Sequence, residues 1–127
     1  MRILIADDNE RVRRGIAGVL ASVKEWEVCG EAEDGAQAIQ KAMELRPDLI
    51  LLDVSMPGMD GLETARRLRR AHAEMKILVL SQYDPAQLLS QALDAGANGC
   101  VDKSRVGVDL VRTIRSIFDS PKGDPAR

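Results

Sequence analysis

At 127 residues, with 45% hydrophobic and 30% charged side chains, the chain has the make-up of one soluble domain with a core of its own. Aromatic residues at 2%, a formal charge of −2 and an isoelectric point near 5.4 argue against a stacking platform for single-stranded nucleic acid and against nucleic-acid binding by this segment. The sequence shows no signal peptide and no apolar stretch long enough to cross a membrane, so a cytoplasmic location is the expectation.

Residues 2–6 form a short apolar run followed at once by Asp7-Asp8-Asn9-Glu10. Asn9 or Asp8 can cap a helix in which Val12, Ile16, Val19, Leu20 and Val23 recur at helical spacing, with Arg11, Arg13, Arg14 and Lys24 off that stripe. Residues 26–32 are a more mixed strand, suited to a sheet edge. Asp34 opens a second helix through about residue 45, with Ala38, Ile39, Ala42 and Met43 inward and Pro47 as its stop. Residues 49–52 are apolar without a break and are bounded by turn residues, the pattern of a strand buried on both faces.

Asp53 ends that strand. Beyond the loop of residues 56–59, Asp60 caps a third helix carrying Leu62, Ala65 and Leu68. Residues 76–80 make a fourth strand ending at Ser81. Asp84-Pro85 is a cap followed by proline at the first helical position, and Leu88, Leu89, Ala92 and Leu93 make the inward stripe before Gly96. A short strand near 99–102 precedes Lys103, and a last helix runs from about 106 to 118 on Leu110, Val111, Ile114, Ile117 and Phe118. Residues 1–119 are thus one domain and 120–127 a linker-like tail. Five strands alternating with five helices predict an α/β fold with a parallel sheet covered on both faces.

In such a sheet all strand ends meet at one edge, where ligands bind. The polar residues just beyond the strands are Asp7, Asp8, Asp53, Ser81 and Lys103. Three carboxylates held together repel unless protonated or joined by a cation. Oxygen ligands of this kind suit Mg²⁺, and a lysine and a hydroxyl beside them add donors for an anion in transfer. The pattern fits phosphoryl transfer onto a carboxylate nucleophile. An Asp53 that merely starts a turn is the plain alternative.

From residue 2 to about 118 the sequence resembles the receiver domains of two-component response regulators. The resemblance rests on Asp7-Asp8, the stretch from Asp53 through Met56-Pro57 to Asp60-Gly61, Ser81, and Gly96-Ala97-Asn98-Gly99 ahead of Lys103. It implies a flavodoxin-like (βα)5 fold, a doubly wound five-stranded parallel sheet in the order 2-1-3-4-5. It implies Asp53 as phosphoacceptor, Mg²⁺ held by Asp8, Asp53 and the Ser55 backbone carbonyl, and Asp7 acting through water. Lys103 would pair with the phosphoryl oxygens, and Ser81 would close on them after modification, shifting the face of the fourth helix, fifth strand and fifth helix.

The implied partner is a sensor histidine kinase, docking on the side of the first helix that carries Arg11, Arg14 and Gly18. Chemistry would be self-directed, limited to phosphoryl uptake and its hydrolysis, rather than that of an enzyme. The stretches 79–84 and 96–99 are similar to receivers that precede LuxR-type helix-turn-helix outputs, so either an output domain or DNA-binding partner lies outside this chain or the receiver stands alone. A phosphorylation-dependent dimer is left open.

Cys29 and Cys100 lie in apolar strand settings and suit small buried hydrophobes. On opposite edges of the implied sheet, four spacings of ~4.8 Å set them roughly 19 Å apart, so both thiols are expected to be free. Two positions depart from the family's pattern. Cys100 occupies the place of the usual switch aromatic, and Ser104 follows Lys103 where proline is common, for which a trans bond is expected. Intact acidic and basic positions favour a working switch, while Cys100 keeps open a degenerate receiver that serves as a phosphorylation-independent interaction module.

Other readings fit less well. A dinucleotide or flavin domain needs a glycine-rich first turn where Asp7-Asp8-Asn9-Glu10 stands, and an Asp-nucleophile phosphatase needs a second carboxylate where Ser55 stands. Arg66, Arg67, Arg69 and Arg70 make a solvated basic face rather than a nucleic-acid patch, and His72 is a surface residue. Tyr83 either gates the phosphoryl site or packs as a loop residue on the fourth helix. If it is a gate, Tyr83→Ala shortens the lifetime of the phosphorylated state, read by intact mass over time. An unchanged lifetime assigns Tyr83 to packing.

Overall fold

Strands joined through helices return parallel to one another, because a helical crossover brings the chain back to the same end of the sheet. The computed structural model describes residues 1–82 and 85–119. It has β1 (Arg2–Ala6), α1 (Glu10–Leu20), β2 (Glu27–Ala32), α2 (Gly35–Leu45), β3 (Leu49–Asp53), α3 (Gly61–Ala71), β4 (Lys76–Ser81), α4 (Pro85–Asp94), β5 (Gly99–Asp102), a 3₁₀ turn (Lys103–Arg105) and α5 (Val106–Asp119). All four strand pairings are parallel and the order is β2-β1-β3-β4-β5, the flavodoxin-like arrangement. The short 3₁₀ turn between β5 and the last helix carries Lys103.

The strands alternate their side chains between two cores. Leu4, Ala6, Ile50, Leu52, Ile77 and Val79 face α2, α3 and α4, whereas Ile3, Ile5, Leu49, Leu51, Leu78 and Leu80 face α1 and α5. Residues 49–52 are all 0% exposed, as their unbroken apolar run requires. Each such side chain contributes roughly 1.5–3 kcal/mol by leaving water.

Helix starts follow their caps. Asn9, not Asp8, caps α1, its side chain accepting from the backbone N–H groups of Arg11 and Val12. Asp34 accepts from Gln37 N, and the Gln37 side chain accepts in return from Glu33 N, a reciprocal box. Asp60 accepts from Glu63 N to start α3. The Asp84 cap expected for α4, the Tyr83 gate and the tail 120–127 lie outside the described residues; Pro85 does open α4.

Several side chains expected inside are outside. Met43 is 62% exposed, Leu89 40%, Leu93 50% and Phe118 38%. In α2 the buried line runs through Gly35, Ala38 and Ala42, and Met43 falls one residue, about 100° of helix, beyond it. α4 buries Ala92 fully and Leu88 in part, a stripe too narrow to include Leu89 and Leu93. Cys29 and Cys100 are half-buried and free, on the two edge strands, as expected for the pairing though less buried than expected.

Two arginines expected at the surface are also structural. Arg13 is buried. Arg69 donates to the carbonyls of Gly96, His72 and Ala73 and to Asn98 Oδ1, clamping the end of α3 to the loop before β5. Gly96 has φ +97°, which ends α4 and leaves its face open to the Arg69 stem.

Gly61 sets the seam between β3 and α3. Its N–H donates to the Val54 carbonyl at 3.0 Å, and a Cβ there would stand 2.3 Å from the Asp53 carbonyl oxygen. Gly61→Ala is expected to destabilise the fold by roughly 2–3 kcal/mol in equilibrium urea unfolding, because main chain rather than a flexible side chain must give way.

Candidate functional site

The topology decides which strand ends meet. β1 and β3 are neighbours at the centre, so Asp7, one residue past β1, lies beside Asp53, the last residue of β3. Both are buried, at 0% and 1% exposed, while Asp8 is exposed. Carboxylate oxygens of Asp7, Asp8 and Asp53 all lie within 4.8 Å of one another. Asp8 and Asp53 open onto a cleft of about 760 Å³ also lined by Asn9, Ser55, Gln82 and Lys103.

Lys103 reaches this cluster from the far side of β4. Asp102 caps the turn that carries it, its Oδ1 accepting from both the N–H and the hydroxyl of Ser104 at 2.9 and 2.8 Å. The peptide into Ser104 is trans, as expected without proline. The ammonium stands 2.8 Å from Asp7 Oδ2 and 3.4 Å from Asp53 Oδ2.

Burial pushes the Asp53 carboxyl above its ordinary range; the Ser55 N–H, 3.1 Å from Oδ1, works against that, Asp7 adds to it, and Lys103 opposes it. Burial disfavours the charge on Lys103, but contact with Asp7 and Asp53 outweighs it and raises the amine. Three carboxylates against one ammonium leave the cleft short of positive charge. Asp7 Oδ2 is, among the described residues, the buried side-chain oxygen that lacks a well-directed hydrogen bond, although the lysine charge is close. Hard oxygen donors clustered this way fit Mg²⁺, which is commonly held by one or two carboxylates with waters and phosphate oxygens.

The other expected site residues are placed as follows. Ser81 is buried at the end of β4, opposite Asp102, and lines a neighbouring cleft of about 390 Å³ with Leu62, Gln87, Leu88 and Gln91. Cys100 pairs with Val79 and packs on the core under α4. Burial, aided by Asp102, raises its thiol to about 11, so it is inert as a nucleophile at neutral pH. Ser55 is exposed at the cleft, Tyr83 lies outside the described residues, and His72 is half-buried at the end of α3.

Arg13 is the site-adjacent residue that pattern reading missed. It donates to the main-chain carbonyl of Asp7 at 2.6 Å and to Glu31 Oε1 at 2.6 Å. The signal was present in the spacing: from position 13, residues 16 and 20 follow on one helical face, and both are core.

A five-stranded parallel sheet with an acidic cluster and one lysine at its carboxyl edge has the donor set for metal-assisted phosphoryl transfer and lacks the glycine-rich first turn of a nucleotide-binding fold. Residues 3–115 match the family model of the response regulator receiver domain. The chain is 37% identical over 118 residues to the response regulator GacA of Pseudomonas viridiflava, covering 93% of this chain and 55% of GacA. It is 36% identical over 125 residues to the transcriptional regulatory protein LiaR of Bacillus subtilis, covering 98% and 58%. Its structure superposes with a TM-score of 0.88 and 30% identity on a LuxR-family two-component response regulator from Aurantimonas, covering 98% of this chain and 91% of that one.

The chain belongs to the response regulator receiver domain family of two-component signalling, and the phosphoacceptor role follows from that membership. It spans about half the length of the curated relatives it matches. No helix among the described residues is long and apolar enough to cross a membrane.

In metal-free buffer, Asp53→Asn is expected to raise the melting temperature by a few degrees at pH 7. A carboxyl raised in the folded state contributes most below its unfolded value, near 3.9, and that contribution is lost as pH rises through the folded value. The advantage of the variant should therefore fade as pH falls through the raised folded value and be gone below about 4, and saturating Mg²⁺ should reduce it at pH 7. Melting curves across pH, with and without Mg²⁺, check both points.

Proposed function

We propose that this chain is a phosphorylation-driven switch in which Asp53 takes a phosphoryl group from a sensor histidine kinase with Mg²⁺. The observation that carries the reading is the Asp53 carboxylate itself. It is buried at a strand end, 3.4 Å from the Lys103 ammonium, and lines a cleft open to solvent. An Asp53 oxygen attacks phosphorus, an O–P bond forms, and the donor's P–N bond breaks as its imidazole leaves and takes up a proton. The Ser55 N–H, already on Asp53 Oδ1, keeps the carboxylate oriented during approach.

Asp8, Asp53 and the Ser55 backbone carbonyl would hold Mg²⁺, with Asp7 acting through water. The ion would supply neutralisation of charge on the transferring phosphoryl oxygens. Lys103 turns from Asp7 toward those oxygens, since phosphorylation brings nearly two negative charges next to it. Ser81 closes on them from the adjoining cleft and draws the loop before α4 with it. The acyl phosphate is later hydrolysed in the same site.

In the whole protein the switched surface would act on an output domain, with transcription as the regulated process, as the name of the transcriptional regulatory protein LiaR suggests. The setting is cytoplasmic, and phosphorylation-dependent pairing of two copies is one way the surface would be read. Cys100 favours a second reading, a receiver that binds partners without phosphorylation, because a half-buried thiol changes little surface when it turns.

Incubation with acetyl phosphate and Mg²⁺ should add the mass of one phosphoryl group to the intact protein. Omitting Mg²⁺ or substituting Asp53→Asn should abolish the gain. No gain under any condition, including a histidine kinase as donor, would favour the phosphorylation-independent module.

A further inference from the structure

Arg13 is, among the described residues, the buried cation, at 7% exposed. A guanidinium persists out of water only where its donors are spent. Nη1 donates to the Asp7 main-chain carbonyl and Nε to Glu31 Oε1, both at 2.6 Å, and Glu33 Oε1 lies 3.9 Å from Nη2. The backbone N–H of Arg13 donates to the Asn9 carbonyl at 3.1 Å, so the side chain leaves the first turn of α1 and folds back over the turn that precedes it.

That turn carries the acidic pair. The Asp7 N–H is held directly from β2, donating to the Ala32 carbonyl at 3.0 Å, and the Asp7 carbonyl is held from β2 indirectly, through Arg13 to Glu31. The Asp7 carbonyl shares a rigid peptide plane with the N–H of Asp8. Gripping that oxygen therefore sets the direction in which the exposed Asp8 leaves the strand. Asp7 has its own restraints, from Lys103 and from the Asn9 N–H on Oδ1 at 2.9 Å, but the peptide plane into Asp8 is gripped by Arg13.

We propose that Arg13 is the positioning residue for Asp8 as a metal ligand, acting through the carbonyl of Asp7 with Glu31 on the edge strand as its anchor. The inference rests on the reading of Asp7, Asp8 and Asp53 as a divalent-cation site. The pairing with Glu31 matters because it offsets a positive charge that would otherwise stand close to a bound cation. The fork of Arg13 matters because one head must serve a carbonyl and a carboxylate at once. A lysine at the same place keeps the charge and loses the fixed geometry.

The test is isothermal titration of Mg²⁺ into the full chain and into R13K and E31Q, with melting temperatures taken in metal-free buffer. R13K is expected to weaken Mg²⁺ binding by about tenfold or more, the scale seen when an outer partner of a metal ligand is lost. E31Q, at a half-exposed side chain, should fold even if Arg13 variants do not, and should weaken binding in the same direction by a smaller factor. In the acetyl phosphate reaction, the Mg²⁺ concentration for half-maximal rate should rise by a larger factor than the saturated rate falls. Mg²⁺ affinity within about twofold of the parent in R13K, with only the melting temperature lowered, would overturn the inference and make Arg13 a stability residue. An E31Q affinity equal to the parent's would overturn the anchoring role of Glu31. A parent chain that itself binds no Mg²⁺ would instead overturn the reading of the acidic site, and this inference with it.

Discussion

Three carboxylates share one end of a hydrophobic sheet, and the rest of the molecule is arranged around their repulsion. The two central strands place Asp7 and Asp53 side by side and nearly out of water. Neither could be held there as an anion without compensation. Lys103 supplies part of it from the far side of β4, and the remaining deficit is what makes the cleft receptive to a divalent cation and then to a phosphoryl group. Stability and function pull against each other at this point, as they do wherever charge is stored for use.

The sheet can carry that strain because its centre is uniformly apolar. β3 is covered on both faces and flanked by β1 and β4, so Asp53 hangs from a strand buried along its whole length. Ser81 lines an adjoining cleft, which shares Ser55 with the acidic one, beside α4, a helix that buries little beyond Ala92 and Leu88 and shows Leu89 and Leu93 to solvent. A rigid acceptor beside a loosely seated helix is a physical basis for a local charge change to become a surface change. At the opposite end of the sheet, Arg69 clamps α3 to the loop between α4 and β5.

Most of the scaffold was legible in linear pattern. Unbroken apolar runs, caps at Asn9, Asp34 and Asp60, and the polar residue at each strand end were enough for the alternation and for a shared functional edge. Local signals failed where the question was which side of a helix meets the core. Met43, Leu89, Leu93 and Phe118 are apolar but exposed, since each helix covers only as much sheet as its crossing position allows. Arg13 and Arg69 failed in the opposite sense: a charged residue is expected outside, and only a carbonyl or carboxylate brought in from a distant segment makes burial tolerable.

By itself, then, the sequence determined the α/β class, the family and the identity of the groups that converge, because hydrophobic period, turn chemistry and motif order are properties of neighbours along the chain. Only the tertiary structure decided how those groups stand to one another. It set Lys103 nearer Asp7 than Asp53, buried Ser81 at the end of β4, and tied the acidic turn to the edge strand through Arg13 and Glu31. Those relations depend on distances between residues far apart in the chain, fixed by strand order and register, and no local pattern encodes them.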